Sequence, residues 1–308
     1  MIKDLIRNIS LLDKDEIDFL CEKTGNKYSF FWKNKKNGTK RKIYHPAKEL
    51  KIVQNVLNDF VISKFPVHSS CMAYRKNSSI KLNAMKHLGN NYVLRMDFKS
   101  FFDSISSDDV SFFINSEVYK YFKDWEEADT DIFTKLVCRK NSLVMGAVTS
   151  PALTNAMCFD LDDELFKYCE SINVIYTRYA DDLYFSTNEK NILKDVERKV
   201  FSTIKKLQCP KNLKINIEKT FHSSQKRKVI ITGLVITNDK KISLGRAKKR
   251  EFKSLVFKWN DLDDEKKSYV SGYLSYIKFI EPNFINTLCM KYGSDIVDEI
   301  FSFKKKSS

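Results

Sequence analysis

The sequence predicts an α+β fold in which an antiparallel sheet carries the chemistry and helices surround and follow it. Three observations carry this reading. Val174, Tyr176 and Arg178 alternate with Ile175, Thr177 and Tyr179, and Leu183 to Phe185 resume the apolar character, so two β-runs meet at Asp181-Asp182 as at the tip of a hairpin. Tyr92 to Phe98 reads as another strand, with Tyr92, Leu94 and Met96 on one face and Val93, Arg95 and Asp97 on the other. From Ser243 onward, apolar stripes recur at helical spacing.

Taken in order, the first 27 residues read as helical: Asp13 and Glu16 have the spacing of a capping box, and Ile17, Phe19 and Leu20 form an apolar face. Tyr28 to Lys33 and Thr39 to Tyr44 flank Asn37-Gly38, which signals a hairpin with a tight turn. That hairpin carries Lys33, Lys35, Lys36, Lys40, Arg41 and Lys42, a crowd of cations that is costly without anions to neutralise it. A helix follows from Pro46 to about Ser63, with Leu50, Val53, Val56, Leu57 and Phe60 at helical spacing. Val67 to Ile80 is a basic loop. Ser107-Asp108-Asp109-Val110 looks like a helix start whose carboxylates suit the helix dipole, and the acidic stretch 124–131 is expected as a surface connection.

Leu143 to Pro151 precedes an apolar helix from Ala152 to about Cys169; Gly146 permits close backbone approach, and Thr149 with Ser150 can cap the helix. Asn188 to Leu207 reads as a helix, while Leu213 to Thr220 and Val229 to Thr237 read as strands. In the C-terminal part, Phe252, Leu255, Val256 and Trp259 form one apolar stripe and Val270, Tyr273, Leu274 and Ile277 another, with one or two more helices between Asn283 and Phe303. Arg246, Lys248, Lys249, Arg250 and Lys253 put charge on the remaining faces.

Two adjacent carboxylates repel, and a hairpin has no structural need for them. A divalent cation removes the repulsion, and Mg²⁺ takes a few carboxylates together with phosphates and water. If the strand bearing Asp97 lies beside the hairpin, three carboxylates converge and can hold two ions for an in-line phosphoryl displacement.

Composition points to the partner. Among 308 residues, 54 Lys and Arg outnumber 39 Asp and Glu, a net charge of +15, and the usual polyanion for such a balance is nucleic acid. No apolar run approaches the 18 or so residues of a spanning helix and the N-terminus lacks a signal-peptide core, so the expectation is a cytoplasmic protein without membrane partners. The seven dispersed cysteines contain no Cys-x-x-Cys pair and read as reduced, mostly buried small hydrophobes.

Five ordered stretches give the chain a family. Met96-Asp97-Phe98-Lys99-Ser100-Phe101-Phe102-Asp103-Ser104-Ile105 resembles the first palm motif of reverse transcriptases, the MGAVTSP stretch at 145–151 the second, and Tyr179-Ala180-Asp181-Asp182 the third. Asn83-Ala84-Met85-Lys86-His87 matches the NAxxH element that marks the bacterial retron enzymes, and Ile231-Thr232-Gly233 is close to their Val-Thr-Gly motif. The resemblance covers almost the whole chain.

It implies a right-hand polymerase: N-terminal helices and fingers over 1–90 with part of 104–150, a palm over 91–238 built on an RRM-like antiparallel sheet, and a helical thumb over 239–308. It implies that Asp97, Asp181 and Asp182 hold two Mg²⁺ ions, with Mn²⁺ as a substitute, and that Lys219 protonates the departing pyrophosphate. The incoming dNTP falls to Arg41 with Lys36 or Lys40, to Phe98 and Gly146, and to Phe102, which lies five residues beyond Asp97 and would pack under the sugar to exclude a 2′-hydroxyl. Met145 stands where related enzymes usually have Gln, which puts one nucleotide contact in doubt. Asn83 and His87 are assigned to RNA contact or local structure, Thr232 and Gly233 to the primer end, and Arg246, Lys248, Lys249, Arg250 and Lys253 to the template–product duplex, which is held through shape, phosphates and 2′-hydroxyls.

The retron resemblance further implies a cognate structured noncoding RNA, priming from an internal guanosine 2′-hydroxyl, a multicopy single-stranded DNA product, and service in antiphage defence with an accessory effector protein. The alternatives are a group II intron-like reverse transcriptase, disfavoured by the NAxxH element and by a chain that ends soon after its thumb, and a catalytically inactive polymerase-derived RNA-binding protein, disfavoured by three intact carboxylates.

Overall fold

In chain order, the computed structural model, which describes residues 1–34, 38–224 and 229–304, has α1 (Ile2–Ser10), α2 (Lys14–Lys23), β1 (Tyr28–Asn34), β2 (Lys40–Pro46), α3 (Lys48–Phe60), α4 (Ile80–Lys86) and β3 (Tyr92–Asp97). Next come α5 (Ser107–Glu117), α6 (Glu127–Val137), α7 (Ser150–Met157), α8 (Phe159–Ser171), β4 (Ile175–Tyr179), β5 (Asp182–Thr187) and α9 (Leu193–Lys206). The chain closes with β6 (Phe221–Ser224), β7 (Val229–Ile231), β8 (Leu234–Ile236), β9 (Ile242–Ser243), α10 (Arg246–Phe257), α11 (Asp264–Ile280), α12 (Pro282–Tyr292) and α13 (Ser294–Ser302). Residues 35–37, 225–228 and 305–308, and with them Lys35, Lys36, Asn37, Lys305 and Lys306, lie outside the described residues.

The architecture is α+β, as expected from the sequence. The chain divides into two units, Met1–Ser78 with Leu94–His222, and Ser79–Val93 with Ser223–Ser308.

In the first unit, the four-stranded sheet runs in the order β4-β5-β3-β6, with β4 and β5 an antiparallel hairpin. Leu94, Met96 and Asp97 of β3, like Leu183 to Thr187 of β5, are buried, so these strands carry cover on both faces and lose the simple alternation of a half-exposed strand. Among the helices, α2 starts with the capping box expected of Asp13 and Glu16, each side chain accepting from the other's backbone N–H at 2.8 and 3.0 Å. The β1–β2 hairpin pairs Tyr28 with Pro46 through to Asn34 with Lys40.

Three local expectations need correction. The acidic stretch 124–131 is not a surface connection but opens α6: Asp129 is buried and accepts the Ile2 N–H at 2.9 Å, with the N-terminal ammonium at 3.3 Å. As expected, Ser107-Asp108-Asp109 opens α5 with both carboxylates in its first turn, and Asp109 adds a capping role, accepting from the Ser106 N–H, the Ser106 hydroxyl and the Lys211 N–H. The helix after Pro151 breaks at Cys158 into α7 and α8, and neither Thr149 nor Ser150 caps it: Thr149 already has helical φ and ψ of −78° and −28°, so its side chain cannot reach back over the first turn. The strand expected over Leu213 to Thr220 survives only as the bridge of Ile215 to Phe98, after which Ile217–Lys219 forms a 3-10 turn.

In the second unit, β7, β8 and β9 form a three-stranded antiparallel sheet packed with α4. The single strand expected over Val229 to Thr237 is a hairpin, because Thr232 and Gly233, at φ of 47° and 83°, make a two-residue turn between Ile231 and Leu234. Of the stripes read from the sequence, Phe252, Val256, Trp259, Val270, Leu274 and Ile277 are buried while Leu255 and Tyr273 are half-buried, and α12 and α13 add Leu288 and Ile300 to this core. No described helix is long and apolar enough to cross a membrane.

Candidate active site

All three carboxylates lie in the first unit. β3 delivers Asp97 at its last position, 4% exposed. Beyond it the backbone stays anchored: the Asn216 N–H donates to the Asp97 carbonyl at 2.7 Å and the Lys99 N–H to the Lys214 carbonyl at 2.8 Å. The β4–β5 hairpin pairs Tyr179 with Asp182, so the tip is Ala180-Asp181 and Asp182 is already the first residue of β5. That shifts the expected tip by one residue and separates the roles of the two aspartates, since only Asp181 sits in the turn.

The turn needs a left-handed residue, and Ala180 takes it at φ 56°. For a residue with a Cβ this conformation costs about 1–2 kcal/mol. Both turn carbonyls are held in compensation. The Phe98 N–H donates to the Asp181 carbonyl at 2.9 Å, joining the end of β3 directly to the turn, and the Arg178 guanidinium donates to the Ala180 carbonyl at 3.2 Å.

Two cations answer the three carboxylates. The Lys219 ammonium, placed by the 3-10 turn, donates to both oxygens of Asp97 at 2.8 and 3.0 Å. Arg95, two residues before Asp97 on β3, donates to Asp182 through Nε at 3.1 Å and Nη2 at 2.8 and 3.1 Å, and the Tyr184 hydroxyl donates to the same carboxylate at 3.2 Å. Asp181 has no such cation against it in these contacts. Burial, then the charges of Asp182 and Asp97, push its carboxyl up to about 6. Burial also raises Asp182, against the pull of Arg95.

Among the described residues, no three His, Cys, Asp or Glu side chains stand close enough to share an ion as they are arranged. The donor set nonetheless fits a hard divalent cation: three carboxylates at one end of the sheet, one of them raised by burial and then by its neighbours' charge, are what such an ion relieves.

Around the carboxylates, Gly146 has φ 108°, and a Cβ there would stand 1.9 Å from the Tyr44 carbonyl oxygen of β2. The Tyr44 N–H donates to the Met145 carbonyl at 2.9 Å, so the basic hairpin docks on the second palm motif through backbone. Phe98 is 1% exposed and stacks on Phe101 at 5.3 Å, and its N–H is held by the Asp181 carbonyl. Phe102 is half-buried with its ring 5.5 Å from Phe101. Arg41 is exposed on β2, and its charge reaches the Tyr74 phenol, which burial and then Asp181 push up and Arg41 pulls down. Lys36 lies outside the described residues.

The remaining expected residues belong to the second unit. Asn83 and His87 are both fully buried, and burial drives the His87 imidazole down to about 3, so it is neutral. Of the two readings left open for the NAxxH element, this burial favours local structure. Thr232 is part of the same local arrangement: its hydroxyl donates to the Ile80 carbonyl at the start of α4 at 3.0 Å, while Gly233 is exposed in the turn. On α10, Lys248 is engaged by Glu251 and Tyr269, Lys249 by Glu281, and Lys253 is half-buried with its ammonium 5.7 Å from the Phe284 ring, whereas Arg246 and Arg250 are exposed.

Sequence reasoning missed Arg95 and Arg178 as site residues. The alternation of β3 put Arg95 on the face of Asp97, a signal that was available; nothing local marks Asp162, the partner of Arg178.

A model of the reverse transcriptase (RNA-dependent DNA polymerase) family matches residues 33–236. The chain is 34% identical over 279 residues to the retron Ec73 reverse transcriptase of Escherichia coli, covering 85% of this chain and 86% of that one. It is 31% identical over 278 residues to the Escherichia coli retron Ec86 reverse transcriptase (87% and 83% covered), and 26% identical over 269 residues to the retron Mx65 reverse transcriptase of Myxococcus xanthus (83% and 62%). Among solved structures, a Candida tropicalis telomerase in complex with a fragment of telomeric RNA aligns at a TM-score of 0.50 and 14% identity over 92% of this chain, which spans 55% of that one, a likeness of fold alone.

Proposed function

This chain belongs to the retron reverse transcriptases, and from that membership we propose that it copies a cognate structured noncoding RNA into multicopy single-stranded DNA, primed from an RNA 2′-hydroxyl, in antiphage defence alongside an effector protein. RNA-directed DNA polymerisation with a divalent metal is the activity of the family; Mg²⁺, the priming hydroxyl, the cognate RNA, the effector and the defence role are our reading.

The observation that supports it is that Asp182 and Asp97 act on the charge of Asp181 while the Phe98–Asp181 hydrogen bond ties the end of β3 to the hairpin turn. Asp97, Asp181 and Asp182 would hold Mg²⁺, which supplies Lewis acidity at the primer hydroxyl and at the leaving pyrophosphate. The chain's own groups do the rest. Lys219, already within 3.0 Å of Asp97, stands at the rim of the site where it can hand a proton to the departing phosphate. Arg41 and the other cations of β1 and β2 bring positive charge to the triphosphate, whose charge spreads over the phosphate oxygens in the transition state. Phe102, its ring 5.5 Å from that of Phe101, would crowd the sugar. The net charge of +15 suits retention of the RNA and its DNA product.

The test is to express the protein with its native flanking DNA, purify it, and resolve the co-purifying nucleic acid on a denaturing gel before and after RNase. A discrete DNA that shortens with RNase and is missing from an Asp181→Asn/Asp182→Asn variant is the expected result. Absence of such DNA, with ordinary primer extension on RNA intact, would remove the self-priming reading and leave the polymerase.

A further inference from the structure

Arg178 is 0% exposed, yet a guanidinium cannot shed its charge. Its charge is met by Asp162 on α8, equally buried, through a two-pronged contact: Nε to Oδ1 at 2.9 Å and to Oδ2 at 3.1 Å, and Nη2 to Oδ2 at 2.7 Å. The Tyr176 hydroxyl donates to Asp162 Oδ1 at 2.7 Å and fixes the carboxylate from the side. With Nε and Nη2 committed, the planar fork leaves Nη1 pointing one way, and that nitrogen donates to the Ala180 carbonyl at 3.2 Å and to Asn155 Oδ1 at 3.4 Å. The Arg178 backbone is clamped as well, its N–H on the Ser70 carbonyl at 2.9 Å and its carbonyl under the Met72 N–H at 2.7 Å.

Fold stability gives no reason for this pair. A buried ion pair replaced by apolar residues of similar volume is often neutral or more stable. Besides the contacts to Tyr176 and Asn155, an apolar pair would lose the hydrogen bond to the turn. Ala180 sits in the left-handed region immediately before Asp181, and its carbonyl orientation sets the plane of the peptide that leads into that aspartate.

We propose that Arg178, oriented by Asp162, is a positioning residue of the polymerase reaction: it holds the Ala180 carbonyl from behind the sheet as Phe98 holds the Asp181 carbonyl from β3, and so fixes the Asp181 carboxylate relative to Asp97. The inference rests on the reading of Asp181 as a catalytic carboxylate. Lysine cannot replace the arginine, since one ammonium cannot span two carboxylate oxygens and the turn carbonyl at once.

The experiment is rapid-quench incorporation of one dNTP by the full-length protein on an RNA template with an annealed DNA primer at saturating Mg²⁺. Rate constant and amplitude are read separately, alongside the thermal midpoint. The variants are Arg178→Lys, the paired apolar change Asp162→Leu/Arg178→Met, and Asp181→Asn. The paired variant removes the buried charges together, so it keeps the core neutral while leaving the turn unheld. In both Arg178 variants the rate constant is expected to fall roughly 10- to 100-fold while dNTP affinity and amplitude per folded protein hold. A rate constant within twofold of wild type, with only the amplitude or the thermal midpoint lowered, would make the pair purely structural and overturn the proposal. Asp181→Asn is expected to be inactive. Activity in that variant overturns the catalytic reading itself, whereas an inactive Asp181→Asn beside a fast Arg178→Lys overturns the anchor alone.

Discussion

Lys219 lies 122 positions from Asp97 in sequence and places its ammonium 2.8 Å from one carboxylate oxygen and 3.0 Å from the other. The contact puts an ammonium proton donor beside the carboxylate proposed to hold metal. If Lys219 is the general acid, Lys219→Met should slow single-nucleotide incorporation by about 100-fold, the range of a lost acid, with template binding unchanged. An unaltered rate would reduce Lys219 to a neutraliser of Asp97.

Arg95 makes the opposite kind of test. It occupies both oxygens of Asp182, so it competes with a cation for that carboxylate while keeping its rotamer fixed. Arg95→Gln should lower the Mg²⁺ concentration needed for half-maximal activity and also lower the maximal rate, since the Tyr184 hydroxyl is then the contact left on the Asp182 carboxylate among those described. A Mg²⁺ titration that shifts upward would contradict this.

Gly146→Ala should be severe. The added Cβ meets a backbone oxygen rather than a flexible side chain, and the φ of 108° is closed to alanine. Either the hairpin leaves the second palm motif or the motif distorts, at a cost of about 3 kcal/mol or more. A melting curve matching the wild type together with an unchanged KM for dNTP would show that the Tyr44 contact does not matter.

His87 predicts an acid limit. It is neutral and buried in the folded protein, with its titration at about 3 against about 6.5 when unfolded. Below pH 6.5 the unfolded chain takes up a proton that the folded one does not, so this contribution to stability is complete above pH 6.5 and is lost as the pH falls toward 3, by about 1.4 kcal/mol per pH unit at most. His87→Gln should melt with a flatter pH dependence between pH 7 and 5. Parallel slopes for variant and wild type would place the acid sensitivity elsewhere.

Much of the site was legible in the sequence because its signals are local. The β4–β5 hairpin, the strand ending at Asp97, the capping box of Asp13 and Glu16, and the apolar stripes of α10 and α11 each follow from a period or a cap within a few residues. Two of the errors were of one kind. Ile231-Thr232-Gly233 reads as strand by composition, yet the backbone turns there. Leu213 to Thr220 alternates like a strand, yet only Ile215 finds a partner before the 3-10 turn.

The sequence by itself determined which residue types are present for the chemistry: three aspartates, a glycine where backbone must approach backbone, and an excess of cations for a polyanion. Tertiary structure decided which charges meet. Asp162 and Arg178 face each other only because α8 packs beneath β4, Lys219 reaches Asp97 only through a turn that the strand pattern hides, and Asn83 and His87 are buried only because α4 packs on β7 to β9. Pairing between distant charges depends on packing geometry at the scale of a hydrogen bond, and no period in the chain encodes that.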